Sequence, residues 1–428
     1  MRVILWGINY EPEPTGIAPY TAGLARHLQS LGMDVRVVSG FAYYPAWAKE
    51  PGDRGCWHRR DWVNGVRVHR CWQYVPSRPS VWGRIAHELS FVLSSLWRIW
   101  RLPRADLYFV VSPPLGLGPA AWLMARLKRS RFLFHVQDLQ PDSAATLGML
   151  RAGLLLRLLY TVEAFTYRTA SGVSAVSAGM VDALRAKGVE RGKVHFLPNW
   201  TRSSAPAGAE EASSFRARQG ISPWTFLAVY SGNLGRKQGL EVLIEAAAQL
   251  ASAPRGGRPI LILIAGDGAG RETLAQMLAE RPHVRVQLLP LQSSEDHAAM
   301  MAAADVTLIT QQTGTGRICL PSKLLSSLSA GRPVIAAADA ESDLVRAVEQ
   351  GGFGAHVPAG DAPALARLLH AAASQPEQVA EWARNTSWIR RYSPQAVLPR
   401  YEAAVLAAAI GETVGEITPA RDAAPLEP

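Results

Sequence analysis

Short apolar runs alternate with helix-period segments twice along this chain, and a polar stretch separates the two series. That alternation narrows the fold more than any other feature. Strands linked by helices pair in parallel and need helices on both faces of their sheet. The first series opens with RVILW at 2–6, continues through a helical pattern from about Thr15 to Leu31, and reaches VRVVS at 35–39. Further strands are expected at 66–69, 107–111, 131–136, 172–176 and 194–197. The second series begins with TFLAVY at 225–230, with strands following at 260–264, 284–288, 305–309, 333–337 and 353–357. Its helices are expected at about 239–251, 270–280, 294–303 and 321–330. The pattern predicts an α/β chain of two Rossmann-like, doubly wound domains. The N-terminal one covers 1–200, a linker covers 201–223, and the C-terminal one covers 224–390. An apolar helix over 391–411 is expected to return to the N-terminal domain, and 412–428 to form a disordered tail. The length of 428 residues agrees, because single cores stop growing at about 250–300 residues.

Composition removes several classes. Cys56, Cys71 and Cys319 are too few and too scattered for a disulfide framework or a metal knuckle, which favours a reducing, cytoplasmic setting. Arg2 precedes a strand-like run with no cleavage site after it, so a signal peptide is not expected. The uncharged stretch Leu107–Ala125 approaches a membrane span in length, but Pro113, Pro114, Gly116 and Gly118 break it into strand, turn and packed helix. Charge is uneven. Residues 1–200 hold 25 Lys and Arg against 13 Asp and Glu, a net +12, while the rest carries 20 against 22, a net −2. Ten of the thirteen tryptophans also lie in the first half. An anionic partner is expected there, either membrane phospholipid or nucleic acid.

The candidate sites lie where strands end and helices begin. In the first domain, Gly7 to Tyr20 holds Thr15 and Gly16; Gly16 suits either close approach of a diphosphate or an ordinary turn beside a Thr15 cap. Asp138, at the carboxyl end of an apolar strand, is placed to position or deprotonate a hydroxyl; Asp142 looks like a helix cap and His135 like a core histidine. In the second domain, Ser231-Gly-Asn233-Leu-Gly235-Arg236-Lys237-Gln-Gly239 joins glycines, a carboxamide and two cations just before a helix, which is chemistry for a pyrophosphate. Gly266 and Gly268 follow the next strand and suit either a tight turn or a site. Gly314 and Gly316 leave room for a sugar, while Ser322 and Lys323 at a helix start suit phosphate or ribose, or a helix cap with a solvated lysine.

Val81–Leu102 has the period of an amphipathic helix. Trp82, Ile85, Leu89, Val92, Leu96 and Ile99 fall on one face, with Arg84, His87, Ser94 and Arg98 opposite and Phe91 out of pattern. Such a helix either covers a sheet or lies in a membrane interface, with Trp82, Arg84, Trp97, Arg98, Trp100 and Arg101 as lipid contacts. Trp57, Trp62, Trp72, Arg59, Arg60, Arg67 and Arg70 nearby add to the membrane case.

Taken together, these motifs resemble bacterial exopolysaccharide glycosyltransferases of the large retaining family 4, in its colanic acid biosynthesis WcaI-like branch. INYEPEPTGIAPYTAGLARHLQSLGMDVRVVSGFAYYP, VQDLQPDSA, SGNLGRKQGLEVLIEAA, AGDG and LPSKLLSSLSAGRPVIA carry the resemblance, from residue 1 to about 405. It implies the GT-B fold, with two domains facing across a cleft and a donor nucleotide held by the second. It places the donor diphosphate near Gly16 and Asn233–Lys237, with Lys323 and Gly314–Gly316 close to the donor. It also implies retention of configuration and no obligatory metal. The absence of any Asp-x-Asp triplet agrees with that. Three positions depart from the family pattern. Gln137 stands where relatives carry His, Gln238 where they carry Lys, and neither of two expected glutamates is present, their positions being near Ile318 and Ser326.

The expected activity is that of a hexosyltransferase. It would pass sugar from a UDP- or GDP-sugar to a lipid-diphosphate-linked acceptor, with no cofactor and no nucleic-acid partner, on the inner face of the plasma membrane. Asp138, Arg236 and Lys237 are the catalytic candidates. A nucleotide-sugar epimerase of the same architecture is the rival enzyme, and a basic nucleic-acid-binding protein the rival of another class. A dehydrogenase is disfavoured because no G-x-G-x-x-G opens either half.

Overall fold

The computed structural model describes residues 1–77, 80–146, 148, 153–201, 207–252, 257–315 and 322–412, apart from the side chain of Arg236. The chain divides into two compact units, Met1–Asn199 joined by the chain from Gln395, and Trp200–Pro394.

The first unit is an eight-stranded sheet. Its strands are β1 (Arg2–Trp6), β2 (Asp34–Gly40), β3 (His58–Val63), β4 (Val66–Cys71), β5 (Leu107–Ser112), β6 (Arg131–Val136), β7 (Gly172–Ala175) and β8 (Val194–Phe196). The order is β3-β4-β2-β1-β5-β6-β7-β8, parallel except for the β3–β4 hairpin. Direction of winding reverses between β1 and β5, where an open α/β sheet leaves a crevice at its strands' carboxyl ends. The helices are α1 (Ala18–Ser30), α2 (Val81–Arg101), α3 (Leu117–Lys128), α4 (Gln140–Thr146), α5 (Leu154–Thr169) and α6 (Ala178–Ala186). Alternate residues of the sheet serve two faces. Trp6 donates to Ser95 of α2 at 3.0 Å and Phe134 packs on Tyr167 of α5. Phe109 and His135 meet Tyr401 on the other side.

The second unit begins with α7 (Ala209–Arg218) and holds six parallel strands. They are β9 (Phe226–Ser231), β10 (Ile260–Ala265), β11 (Val286–Leu289), β12 (Val306–Thr310), β13 (Val334–Ala337) and β14 (Gly354–Val357). Between and after them run α8 (Glu241–Ser252), α9 (Arg271–Ala279), α10 (Ser294–Ala303), α11 (Ser322–Ser329), α12 (Asp343–Gly351), α13 (Ala362–Ser374) and α14 (Pro376–Arg384). The order β11-β10-β9-β12-β13-β14 places the reversal between β9 and β12. The last helix, α15 (Pro394–Ile410), belongs almost wholly to the first unit. Its Tyr401 hydroxyl donates to the Leu197 carbonyl at 2.9 Å.

Leu107–Ala125 is β5 and the start of α3, parted by Pro113 and Pro114, and among the described residues no helix is long and apolar enough to cross a membrane. Three expectations need correction. The stretch read as a linker over 201–223 contains α7. Polar along most of its length, it is anchored by one residue, Phe215, which is fully buried among Ile221, Leu227, Val229, Leu263 and Met300. Next, α1 starts after Ile17, with no side-chain cap, so Thr15 does not cap it.

The third concerns α2, which is turned from the face its apolar spacing suggests. His87, Phe91, Val92, Ser94, Ser95 and Ile99 are buried, while Trp82, Leu89, Leu93, Trp97 and Trp100 are exposed, so that of the expected apolar face only Val92 and Ile99 are buried. The polar buried side chains each find a partner. His87 Nδ1 meets the Tyr74 carbonyl, and Ser94 donates to the Trp72 carbonyl. Arg98 bends inward to the His69 ring at 2.9 Å instead of facing out. Arg70 is also buried, donating to Ser39 Oγ at 3.1 Å and to the Gly40 and Glu11 carbonyls, so it is no lipid contact.

Candidate active site

The second unit brings most of the sequence candidates together. Loops leave the carboxyl ends of β9, β10 and β12, which are neighbours in the sheet. The first two are stitched by Leu234 N–H to Asp267 O at 2.9 Å and Gly270 N–H to Leu234 O at 2.7 Å. The glycines make this contact possible. Gly266 has φ +153°, and a Cβ there would lie 1.8 Å from the Gly232 carbonyl oxygen. A Cβ on Gly268 would lie 2.4 Å from Asn233 Oδ1. Their role in the structure is thus loop-to-loop packing, which fixes the backbone of Gly232–Gly235.

The cations enter from two directions. Arg236–Gln238 form a single 3-10 turn after that backbone. Lys323, in the first turn of α11, donates to Gln238 Oε1 at 3.1 Å, and its Nζ stands 5.0 Å from the centre of the Tyr230 ring. Tyr230 donates to the Asn233 carbonyl at 2.8 Å. Gln238, the departure from the family's lysine, therefore positions a lysine that comes from α11. Gln312 N–H reaches the Lys237 carbonyl at 2.8 Å, and Gly314 N–H is held by Asp339 at 2.8 Å. Ser322 is exposed beside Lys323. Gly316 lies outside the described residues, as does the side chain of Arg236. Loops rich in N–H groups beside Lys237 and Lys323 are suited to an anionic ligand.

In the first unit, Gly16 and Asp138 lie on loops after β1 and β6. Gly16 has φ +70° and packs against the Tyr44 ring. Glu13 holds this loop in place. It is buried and accepts from the backbone N–H of Tyr43 at 3.0 Å and of Tyr44 at 3.1 Å, and from Asn9 at 2.8 Å. Asp138 accepts from Ser143 at 2.6 Å. Beside it stands Glu88 of α2, which accepts from Gln140 Nε2 at 2.8 Å, and Gln140 accepts in turn from Leu115 N–H at 2.6 Å. Burial pushes the Glu88 carboxyl up to about 7, and the charge on Asp138 adds to that. Trp47, Tyr43 and His87 cluster next to it, with ring centroids 4.5–5.5 Å apart, and Arg84 stacks on Trp47 at 5.4 Å. Glu13 and Glu88 escape sequence reading because one sits inside a Pro-rich loop and the other inside a helix read as amphipathic.

Other candidates have structural roles. His135 is buried, bonded to Ser174 at 2.9 Å, and burial drives it down to about 3, so it is a neutral core residue. Gln137 exchanges two hydrogen bonds with Asn199, at 3.1 and 3.0 Å. Asp142 lies in the first turn of α4 and pairs with Lys187. Among the described residues, no group of three His, Cys, Asp or Glu side chains is arranged to hold a metal ion.

Two doubly wound α/β units, each with its winding reversal and its loops at the strand carboxyl ends, have the architecture of GT-B glycosyltransferases. Residues 15–200 match the glycosyl transferase 4-like domain family and 212–387 match the glycosyl transferases group 1 family. The chain is 32% identical over 352 residues to an Escherichia coli (strain K12) protein named as a colanic acid biosynthesis glycosyl transferase, WcaI, covering 80% of this chain and 85% of that one. It belongs to the same glycosyltransferase family. Among solved structures, sucrose-phosphate synthase from Thermosynechococcus elongatus superposes with a TM-score of 0.73 at 17% identity, covering 94% of this chain and 97% of that one. HepE of Anabaena, solved with UDP, superposes with a TM-score of 0.69 at 16% identity, covering 95% and 100%.

Proposed function

We propose that this glycosyltransferase moves a hexose from a UDP- or GDP-sugar to a lipid-diphosphate-linked acceptor, in the assembly of a bacterial exopolysaccharide or cell-surface polysaccharide. One observation carries the donor half of the proposal: the loops after β9, β10 and β12 converge with Lys237 and Lys323 at the winding reversal of the second sheet. The UDP and UDP-glucose bound in the HepE structures support a nucleotide-sugar donor, and the name of WcaI supports an exopolysaccharide product.

The steps follow from charge. Arg236, Lys237, Lys323 and loop N–H groups hold the diphosphate and stabilise it as the bond to the sugar breaks. The acceptor hydroxyl attacks from the side of departure, so configuration is retained, and a donor phosphate oxygen takes its proton. Asp138 orients the acceptor, with Glu88 and the Trp47 cluster lining its approach. No metal is required in this scheme, and the reaction takes place on the cytoplasmic face of the plasma membrane.

Calorimetric titration with UDP and with GDP, in metal-free buffer, tests the donor half. One nucleotide is expected to bind, at least about tenfold more weakly in Arg236→Ala/Lys237→Ala. Asp138→Ala is expected to abolish transfer with nucleotide affinity nearly intact. Failure of both nucleotides to bind folded protein would overturn the proposal.

A further inference from the structure

The outward turn of α2 leaves large apolar side chains in water, and the exposed surface does not stop at that helix. α3 packs beside α2, with Gly116 against Val92. Lys128, at the end of α3, donates to the carbonyls of Ile99 at 2.9 Å and Trp100 at 2.8 Å and to that of Leu102. On its other flank α3 meets α5. A Cβ on Gly118 would lie 2.2 Å from Thr166 Oγ1, and the Trp122 and Phe165 rings meet edge to face at 5.2 Å. The three helices therefore form one layer. Its outer side exposes Trp97 and Trp100 of α2, Leu127 of α3 (61%), and Leu154 (85%) and Leu158 (56%) of α5.

Charge on this layer is segregated. The exposed charged side chains of α2, α3 and α5 are Arg84, Arg101, Arg126, Arg157 and Arg168. The two carboxylates of these helices turn away. Glu88 accepts from Gln140, and buried Glu163 is engaged by Tyr167 and Lys187. Arg101 lies 4.2 Å over the Trp97 ring, which joins a cation to an aromatic at one point of the surface. Exposed tryptophan and leucine among arginines, with no outward carboxylate, match a bilayer: the rings suit the headgroup level and the guanidinium groups suit lipid phosphate.

We infer that the outer faces of α2, α3 and α5 together form a docking platform for a membrane bearing anionic lipid headgroups. This replaces a single interfacial helix with a broad, rigid surface. α2 also carries Glu88 toward Asp138, so docking brings lipid beside the residues assigned to the acceptor. That consequence rests on the acceptor proposal above; the docking itself does not.

Co-sedimentation of the full chain with phosphatidylcholine vesicles, with and without phosphatidylglycerol, tests it. Binding to the phosphatidylglycerol vesicles is expected, weakening as salt is raised. Leu127→Glu/Leu158→Glu, which leaves α2 intact, is expected to reduce that binding about tenfold or more, and Arg126→Ala/Arg157→Ala about fivefold per arginine. Circular dichroism and the nucleotide titration on the same samples show that fold and donor site survive. No binding by the wild-type chain, or unchanged binding by the leucine variant, overturns the inference. So does a wild-type dimer in light scattering that the leucine variant converts to a monomer while vesicle binding is absent, since the face then serves a second copy. Vesicle binding without nucleotide binding would keep the platform and remove the donor proposal.

Discussion

Glu88 is the most informative single residue. Its carboxyl is raised from 4.5 to about 7 because desolvation disfavours its charge and the charge of Asp138 adds to that, while the Gln140 donor and Arg84 offset only part of it. A raised carboxyl binds its proton more tightly in the folded state. Its contribution is therefore fully present below 4.5 and is lost as pH climbs through about 7, once the folded protein must hold a charged carboxylate. Glu88→Gln keeps the oxygen that Gln140 donates to and cannot ionise. Above neutrality it is expected to be more stable than the wild type by about 1–3 kcal/mol, with the gap closing in acid. Urea midpoints measured on both sides of that window check this; a gap independent of pH would disprove it. Glu13 differs. Burial raises it too, but three donors already hold it, so it shapes the loop that carries Gly16.

Among the elements, α7 and β3 show why some structure escapes the hydrophobic pattern. α7 has one buried residue in ten, too few to produce a period. Tertiary packing of Phe215 holds it, so Phe215→Ala is expected to cost about 3–5 kcal/mol. It should lower the unfolding temperature, while Phe215→Leu recovers most of the loss; equal losses for the two would point away from cavity formation. β3 was legible. Asn64-Gly65, with φ +50° and +80°, is a two-residue hairpin turn that joins it to β4. Its arginines and tryptophan hid the strand because an edge strand facing water need not be apolar. α2 is the opposite case. Its apolar spacing was visible, but the side that packs was decided by His87 and Ser94 finding backbone carbonyls that only the folded loop after β4 supplies.

For the molecule as a whole, the chain leaves the first unit near Asn199 and returns to it in α15. Tyr401 secures the return. It is buried against Phe109 and His135 and donates to Leu197, so Tyr401→Ala is expected to destabilise the first unit by about 3–5 kcal/mol. Nucleotide titration in native buffer should be unchanged, because the donor loops belong to the second unit; loss of nucleotide affinity would show that the units do not act separately.

From residues alone came the two parallel sheets, the break between them, the glycine- and cation-bearing turns, and the family. Each is a local property, set by apolar period, by glycines and by residues adjacent along the chain. Folding was needed to choose among uses of those residues. Gly266 and Gly268 serve loop contact, Lys323 is aimed by Gln238, and Glu88 comes to Asp138 from a helix fifty residues earlier. Burial of polar groups and the meeting of distant loops depend on which surfaces pack, and one-dimensional spacing does not carry that information.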